Sequence, residues 1–182
     1  MVLVRWGMIP AWVKNPGQFA TLINARAETA QDKPSFRGPL RHKRCLIPAD
    51  GFYEWTGPTG AKQPHLVASP VGTSSLIALA GLWEHWLGAD GSELETMAIL
   101  TVGANAAVSP IHDRMPLILQ PPDFDRWLDC TPGSAEPVQG LLRESTLATL
   151  QVTSVNQRIN NSRNEGVDLR ASADGAVQAK LI

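Results

Sequence analysis

The dipeptide Asp50-Gly51 predicts a tight turn, and this turn constrains the local fold more than any other feature of the chain. A short apolar run at residues 45–47 precedes the turn, and the segment Phe52–Trp55, which holds three strand-forming aromatic residues, follows it. Two strand-forming segments that flank Asp-Gly are typical of a β-hairpin. The pattern therefore predicts a hairpin over residues 45–55.

A carboxylate, Glu54, lies within the second of these strands. Because side chains alternate along a strand, Phe52 and Glu54 are expected on one face, and Tyr53 and Trp55 on the other. A carboxylate among apolar groups binds its proton more tightly and can act as a general acid or base near neutral pH. The alternative is an acid on the solvent face of an edge strand, and this stretch alone leaves both interpretations open.

Length and composition favour one compact domain, since the chain has 182 residues and is 43% hydrophobic. Its 16 basic and 17 acidic residues nearly balance, but residues 1–63 hold nine basic and four acidic side chains, a net charge of +5. This asymmetry permits a basic face on a neutral protein, and a solvated helix face is the alternative. The densest basic run comprises Arg37, Arg41, His42, Lys43 and Arg44.

Cysteine and histidine usage predicts neither a metal nor a cofactor. Cys45 and Cys130 form no CxxC pair, so a reducing cytoplasm is the expected setting. The four histidines are scattered without the spacing of zinc ligands. No apolar run is long enough to cross a bilayer, and we expect a monomer without a membrane partner.

Hydrophobic patterning predicts further elements along the chain. Residues 29–44 are expected to contain a short basic helix that is interrupted at Gly38-Pro39. The apolar runs predict strands, and an amphipathic pattern predicts one more helix. The strands are expected at residues 1–6, 75–83, 96–102 and 150–155, and the helix at residues 121–129.

Two segments in the first part of the chain carry candidate functional residues. Trp12 lies in a loop between Pro10 and Pro16, where its indole either anchors the core or offers a flat face for base stacking. Asn24 and Arg26 occupy alternate positions of an extended segment, so they are expected to share one strand face.

A second cluster of ionisable residues, His112, Asp113 and Arg114, lies between Pro110 and Pro116. Prolines restrict the backbone of such a loop and hold its side chains in place. An imidazole near neutrality is a proton shuttle, and a guanidinium suits bidentate phosphate binding. A purely structural His–Asp pair is the alternative.

Taken together, these segments resemble the SRAP family, the SOS-response-associated peptidases, which shield abasic sites in single-stranded DNA. The resemblance runs from Arg5 to about Gly166. It implies a mixed α+β fold of one domain, with strongly bent, barrel-like antiparallel sheets, short flanking helices and a positively charged DNA groove. The segments that carry it are residues 6–12, 22–28, 49–55, 111–116 and the Asn-rich tail at 156–164.

The resemblance also implies a reaction. In this family, a cysteine becomes the N-terminal residue once the initiator Met is removed, which is the autoproteolytic activity. Its α-amine condenses with the aldehyde of an abasic sugar, and its thiol then closes a thiazolidine ring. The implied partner is single-stranded DNA containing abasic sites, with nucleoid association when the protein is bound to damaged DNA.

Family roles transfer to matching positions of this chain. Glu54 would manage protons at the amine and imine, Asn24 would position the nucleophile, and His112 would assist sugar ring opening. Arg26 and Arg114 would hold phosphates, while Trp12 and Trp55 would pack against sugars and bases. We expect the side chains of Asn24, Arg26, Glu54 and His112 to converge on one pocket.

The chain departs from the family pattern at its start, Met1-Val2-Leu3. We find no match to the family's opening Met-Cys-Gly-Arg segment, so residues 1–182 are expected to be an SRAP domain whose natural start lies several tens of residues upstream. A naturally shortened paralogue that does not crosslink is the alternative. Two other functions stay open: a non-catalytic module that binds single-stranded DNA, and an amide or ester hydrolase that uses Glu54 and His112.

Overall fold

The computed structural model describes residues 1–70, 76–131, 138–142 and 149–173. The α-helices within these residues are α1 (Ala27–Ala30), α2 (Arg37–His42) and α3 (Phe124–Leu128). The strands are β1 (Arg5–Trp6), β2 (Asn24–Arg26), β3 (Arg44–Ala49), β4 (Phe52–Thr56), β5 (Gln63–Ala68), β6 (Ile77–Leu87), β7 (Glu93–Gly103), β8 (Arg114–Pro116), β9 (Ile118–Leu119) and β10 (Gln151–Ser154). Single-turn 3₁₀ helices lie at Pro16–Gln18, Pro121–Asp123, Gly140–Leu142, Gln157–Asn160 and Val167–Arg170.

The chain forms two compact units. The first unit takes residues 1–48, 78–103 and 114–148, and the second takes residues 49–77, 104–113 and 149–182. The chain passes between the units several times, so neither unit is a continuous segment. This connectivity agrees with the expected single domain of mixed α+β class.

Strand β7 organises the first unit, whose seven-stranded sheet includes four strands that pair with it. Ile99 pairs with both β6 and β2, so these two strands lie on opposite edges of β7. Thr101 pairs with both β2 and β8, so β8 continues the edge that β6 occupies. Strands β1 and β2 run parallel to β7, whereas β6 and β8 run antiparallel to it.

The sheet of the first unit is open, because its strand order begins at β1 and ends at β3. The barrel-like expectation is therefore wrong for this sheet. The parallel pairing of β1 and β2 also differs from a purely antiparallel arrangement. Both strands have three residues or fewer and are separated from β7 by long stretches of chain, so local patterns did not indicate their direction.

The second unit contains a three-stranded antiparallel sheet in the order β10, β5, β4. Strands β3 and β4 form as the Asp50-Gly51 pattern predicts, but the predicted hairpin is wrong, because β3 belongs to the seven-stranded sheet and β4 pairs with β5. Gly51 permits this arrangement because it has no side chain. A Cβ at this position would lie only 2.7 Å from the carbonyl oxygen of Val67 on β5, which is too close.

Other local predictions have mixed outcomes. The strands near residues 75–83, 96–102 and 150–155 and the helix near 121–129 are confirmed by β6, β7, β10 and α3. Residues 1–6 are not a buried strand, because only Arg5–Trp6 pairs and the side chains of Met1, Val2 and Leu3 are exposed. Helix α2 continues through Gly38-Pro39, since proline is tolerated in a first helical turn, where amide donors have no partner within the helix.

A buried guanidinium links α2, α3 and β3 inside the first unit. Arg44 is 4% exposed, and its Nε donates to the carbonyl oxygen of Trp127 at 2.6 Å. Its Nη1 donates to the carbonyl oxygen of Leu40 at 2.7 Å, and its Nη2 donates to that of Asp129. These carbonyl groups lie at the ends of the two helices, so one side chain satisfies acceptors that the helices leave open.

None of the helices in the described ranges has the length and hydrophobicity that a membrane span requires.

Replacing Arg44 with Met should lower the free energy of unfolding by about 2–4 kcal/mol, because several buried carbonyl groups lose a charged donor. The exposed Arg41 on α2 provides the control, and Arg41→Met should change stability by less than about 0.5 kcal/mol. Urea unfolding followed by circular dichroism measures both values. Equal stabilities for the two variants would contradict the structural role of Arg44.

Candidate active site and nucleic-acid interface

Glu54 and His112, which are 58 positions apart in the sequence, lie close together in the second unit. Glu54 Oε2 is 3.9 Å from His112 Nε2. The other ring nitrogen of His112, Nδ1, is 3.3 Å from Asp113 Oδ1. The three side chains thus form an acid–imidazole–acid series, in which the outer carboxylate of Asp113 is 89% exposed and Glu54 only 21% exposed.

Burial raises the pKa of the Glu54 carboxyl above its ordinary value, while His112 lowers this pKa and Asp113 raises it. Partial removal from water penalises the charged form, and the neighbouring imidazole offsets part of that penalty. Because the pKa is higher in the folded chain, ionisation of Glu54 costs stability as the pH rises through that value. A carboxyl in this state can hold or release a proton closer to neutrality than an exposed glutamate.

Local hydrogen bonds fix the loop that carries His112. Ala104 N donates to the carbonyl oxygen of Asp113 at 3.0 Å, which closes the base of the loop. Asn105 Oδ1 accepts from the amides of Ala107 and Val108 at 3.1 Å, and His112 N donates to the carbonyl oxygen of Val108. Val108 is itself fully buried, so the imidazole extends from an anchored turn.

Strand β4 places Glu54 on one face and the rings of Tyr53 and Trp55 on the other, as alternation predicts. The rings of Tyr53 and Trp55 lie 6.3 Å apart between centroids, consistent with a shared face. Glu54 pairs directly with His65 of β5, and directly opposed residues of an antiparallel pair share a face. Trp55 is 38% exposed and its indole Nε1 donates to Asn160 Oδ1 at 2.8 Å.

Sequence reasoning missed His65 as a neighbour of this site. Its Nε2 lies 2.9 Å from Thr56 Oγ1, and its Nδ1 lies 3.3 Å from Ser154 Oγ, so both ring nitrogens contact hydroxyl groups. The register of β4 with β5 decides that His65 stands opposite Glu54. The Gly/Pro-rich loop between these strands does not reveal that register in the sequence.

In the first unit, β2 presents Asn24 and Arg26 as predicted. Both side chains are exposed, whereas Ala25 between them is 1% exposed and packs into the core. The parallel pairing of β2 with β7 places Arg26 opposite Thr101. An amide and a guanidinium therefore stand side by side on the exposed face of one strand.

Arg114 reaches the same part of β7 from the opposite edge, but its guanidinium is already engaged. Nη1 and Nη2 bind the two carboxylate oxygens of Glu28 at 2.5 and 2.9 Å, and Nη2 also donates to the carbonyl oxygen of Thr101 at 2.6 Å. The hydrogen bond from Arg114 lowers the pKa of Glu28, and Arg26 contributes a further electrostatic lowering. Glu28 was not among the predicted site residues, because the pair joins positions 86 residues apart.

Trp12 is 59% exposed and forms a T-shaped pair with the Phe19 ring, with centroids 5.7 Å apart. It borders a hollow of about 280 Å³ that is also lined by Arg37, Arg41 and His42 of α2. The surface position argues against the core-anchoring alternative for Trp12. It also brings part of the basic run noted in the sequence beside an aromatic ring.

The predicted site residues are thus distributed over both units. Trp12, Asn24, Arg26 and Arg114 belong to the first unit, and Glu54, Trp55 and His112 belong to the second. The structure brings Glu54 to His112, and it brings Arg26 and Arg114 to Thr101. Convergence of Asn24, Arg26, Glu54 and His112 on one pocket stays a prediction. Within the described residues, no group of three or more His, Cys, Asp or Glu side chains is arranged to hold a metal ion.

Comparison with known proteins identifies the family of this chain. The family model "SOS response associated peptidase (SRAP)" matches residues 1–162. Abasic site processing protein YoqW of Bacillus subtilis is 39% identical over 166 residues, covering 91% of this chain and 74% of that protein. Abasic site processing protein HMCES of Gallus gallus is 34% identical over 185 residues, covering 89% of this chain and 54% of that protein.

Solved structures give the same result. A crystal structure of a Bacteroides thetaiotaomicron protein superposes with a TM-score of 0.79 at 28% identity, covering 92% of this chain and 75% of that one. A Bordetella bronchiseptica protein gives a TM-score of 0.70 at 28% identity, covering 84% of this chain and 76% of that one. On the family match and the identity to the curated relatives, this chain belongs to the SOS response associated peptidase (SRAP) family.

Proposed function

We propose that this protein processes abasic sites in single-stranded DNA and forms a covalent DNA–protein crosslink through an N-terminal cysteine, after autoproteolytic removal of the initiator Met. The observation that carries the proposal is the contact between the half-buried Glu54 carboxyl and His112. The names of the relatives, abasic site processing proteins, support the choice of substrate.

The proposed reaction is a condensation. The α-amine attacks the sugar aldehyde, water leaves as the imine forms, and the thiol sulfur then adds to the imine carbon while a proton passes to nitrogen. Glu54, whose pKa is raised, is suited to deliver the proton that the leaving water needs and to accept one from the attacking amine. His112 would act on the sugar oxygen during ring opening, and Asn24 would position the nucleophile.

The internal cysteines do not suit this role. Neither Cys45 nor Cys130 carries a free α-amine, so neither can form the thiazolidine. Burial also raises the pKa of the Cys45 thiol to about 11, which keeps it in the unreactive thiol form near neutrality. The covalent step is therefore assigned to an N-terminal cysteine and to neither internal cysteine.

DNA binding is the second part of the proposal. Arg26 is an exposed cation on β2, and the exposed rings of Trp12 and Trp55 offer faces for sugars and bases. These same features favour the second candidate function, a module that binds single-stranded DNA without crosslinking it. Such a module would bind in a salt-sensitive way and would not discriminate an abasic site.

Intact mass spectrometry of the natively expressed protein, before and after incubation with single-stranded DNA that contains one abasic site, tests the crosslink. We expect a covalent adduct, and its rate of formation should fall by about a hundredfold or more in Glu54→Gln and His112→Ala because proton transfer is lost. Affinity for an unreactive strand should change little in these variants. Binding without any adduct would favour the non-crosslinking module.

The proton-managing role of Glu54 gives a direct titration test. The NMR midpoint of its side-chain carboxyl should lie above 4.5 in this chain. His112→Ala should raise the midpoint further, because a neighbouring positive charge is removed, whereas Asp113→Asn should lower it. Glu54→Gln assigns the resonance, and Glu95→Gln on β7 serves as the control. A midpoint at or below 4.5 would contradict the role.

The two arginines should differ in how they affect the salt dependence of DNA binding. Arg26→Ala should reduce the slope of log K against log salt by about 0.7, the value for one phosphate contact on a single strand. Arg114→Ala should reduce it by less, because Glu28 already neutralises that guanidinium. Fluorescence anisotropy over a series of salt concentrations measures both slopes. Equal reductions would mean that the Arg114–Glu28 ion pair opens on binding.

A further inference from the structure

The Asn-rich segment at residues 156–164 contains one asparagine whose contacts differ from those of its neighbours. Asn156 Oδ1 accepts from Arg158 N, Asn161 Oδ1 accepts from Arg163 N, and Asn164 Nδ2 donates to the carbonyl oxygen of Arg158. These bonds stabilise the local turn and the 3₁₀ helix Gln157–Asn160. Such short-range hydrogen bonds are typical of asparagine in an irregular segment.

Asn160 instead bonds at both ends of its amide to distant parts of the second unit. Its Oδ1 accepts the indole N–H of Trp55 at 2.8 Å, and its Nδ2 donates to the carbonyl oxygen of Lys62 at 2.9 Å. The two partners lie at the end of β4 and just before β5, which are neighbouring strands. Because one end must accept and the other must donate, the two bonds define a single orientation of the amide.

The bond to Asn160 holds the indole by its edge and leaves ring surface available. Trp55 is 38% exposed, and it lines an open hollow of about 720 Å³. The other residues around this hollow are Gly60, Lys62, Ile159, Asn160 and Ser162. A flat aromatic ring and a lysine that line one hollow are suited to bind a nucleobase and its phosphate.

We propose that Asn160 is a positioning residue for DNA binding, which acts by holding the Trp55 indole in the orientation that stacks on a nucleobase of single-stranded DNA. This inference rests on the proposed function, since it deepens the role of Trp55 in the same site. A partly exposed indole without the bond at Nε1 would sample other side-chain rotamers, and binding would then have to restore the productive one. The bond to Asn160 already fixes the indole rotamer in the free protein, so binding does not have to pay this entropy.

A double-mutant cycle separates this role from a merely structural one. The variants are Asn160→Ala, Trp55→Phe and the combination, because phenylalanine keeps a stacking face but has no N–H to donate. Asn160→Ala should weaken binding of an abasic single strand by about threefold to tenfold, the value of one hydrogen bond. In the Trp55→Phe background, the same substitution should have almost no further effect.

The indole resonance provides a readout that does not depend on DNA. In a proton–nitrogen correlation spectrum, the Nε1–H peak of Trp55, assigned by its loss in Trp55→Phe, should move upfield in Asn160→Ala. Asn161→Ala is the matched control, because Asn161 accepts only a local amide bond, and it should leave the peak in place and affinity within about twofold.

Each contrary outcome is distinct. If Asn160→Ala weakens binding equally in the wild-type and Trp55→Phe backgrounds, its effect comes from the Lys62 contact or from residues 156–164, and the inference is overturned. A shifted indole peak with unchanged affinity would also overturn the inference. Trp55→Ala should weaken binding about fivefold or more, the value of one stacked base. If Trp55→Ala weakens binding but Asn160→Ala does not, the inference fails and the proposed function stands. A wild-type protein that does not bind single-stranded DNA would overturn both.

Discussion

The hydrogen-bond ladder of β7 is the constraint on which the first unit depends. Ile99 and Thr101 each pair with strands on both edges, so a single eleven-residue strand sets the positions of β2, β6 and β8. Strand β2 has only three residues and would not persist by itself; its pairing with β7 holds it in place. That pairing is what displays Asn24 and Arg26 on one exposed face.

In the second unit, the two-residue period of β4 places adjacent side chains on opposite faces. Glu54 faces the side that carries His65, while Trp55 shares the other face with Tyr53. The proton transfer proposed for Glu54 needs a carboxyl partly removed from water, and the stacking proposed for Trp55 needs an accessible ring. Successive positions of one strand meet both requirements because their side chains emerge on opposite faces.

Charge is balanced differently around the two predicted functional groups. The carboxyl of Glu54 is partly desolvated next to an imidazole, so burial raises its pKa and the imidazole moderates the rise. Arg114 has a bidentate carboxylate partner in Glu28, which leaves Arg26 as the more available cation. Residue type alone therefore does not predict how strongly a guanidinium binds phosphate, because a carboxylate partner reduces the charge that is available.

The sequence by itself determined the features that depend on neighbouring positions. Alternation placed Glu54 and Trp55 on opposite faces, the Asp50-Gly51 turn separated two strands, and the segments around Asn24 and His112 carried the family resemblance. It also suggested the acid–imidazole pair, because the resemblance gave both residues roles in one reaction.

Only the tertiary structure decided the features that depend on distant partners. Strand β4 pairs with β5 instead of β3, the Arg114–Glu28 pair joins residues 86 positions apart, and the Trp55–Asn160 bond joins residues 105 positions apart. No local pattern encodes such pairings, because they arise from sheet register and chain crossings. The physical reason is that periodicity and turn chemistry act over a few residues, whereas the partner of a side chain is selected by the packing of the whole unit.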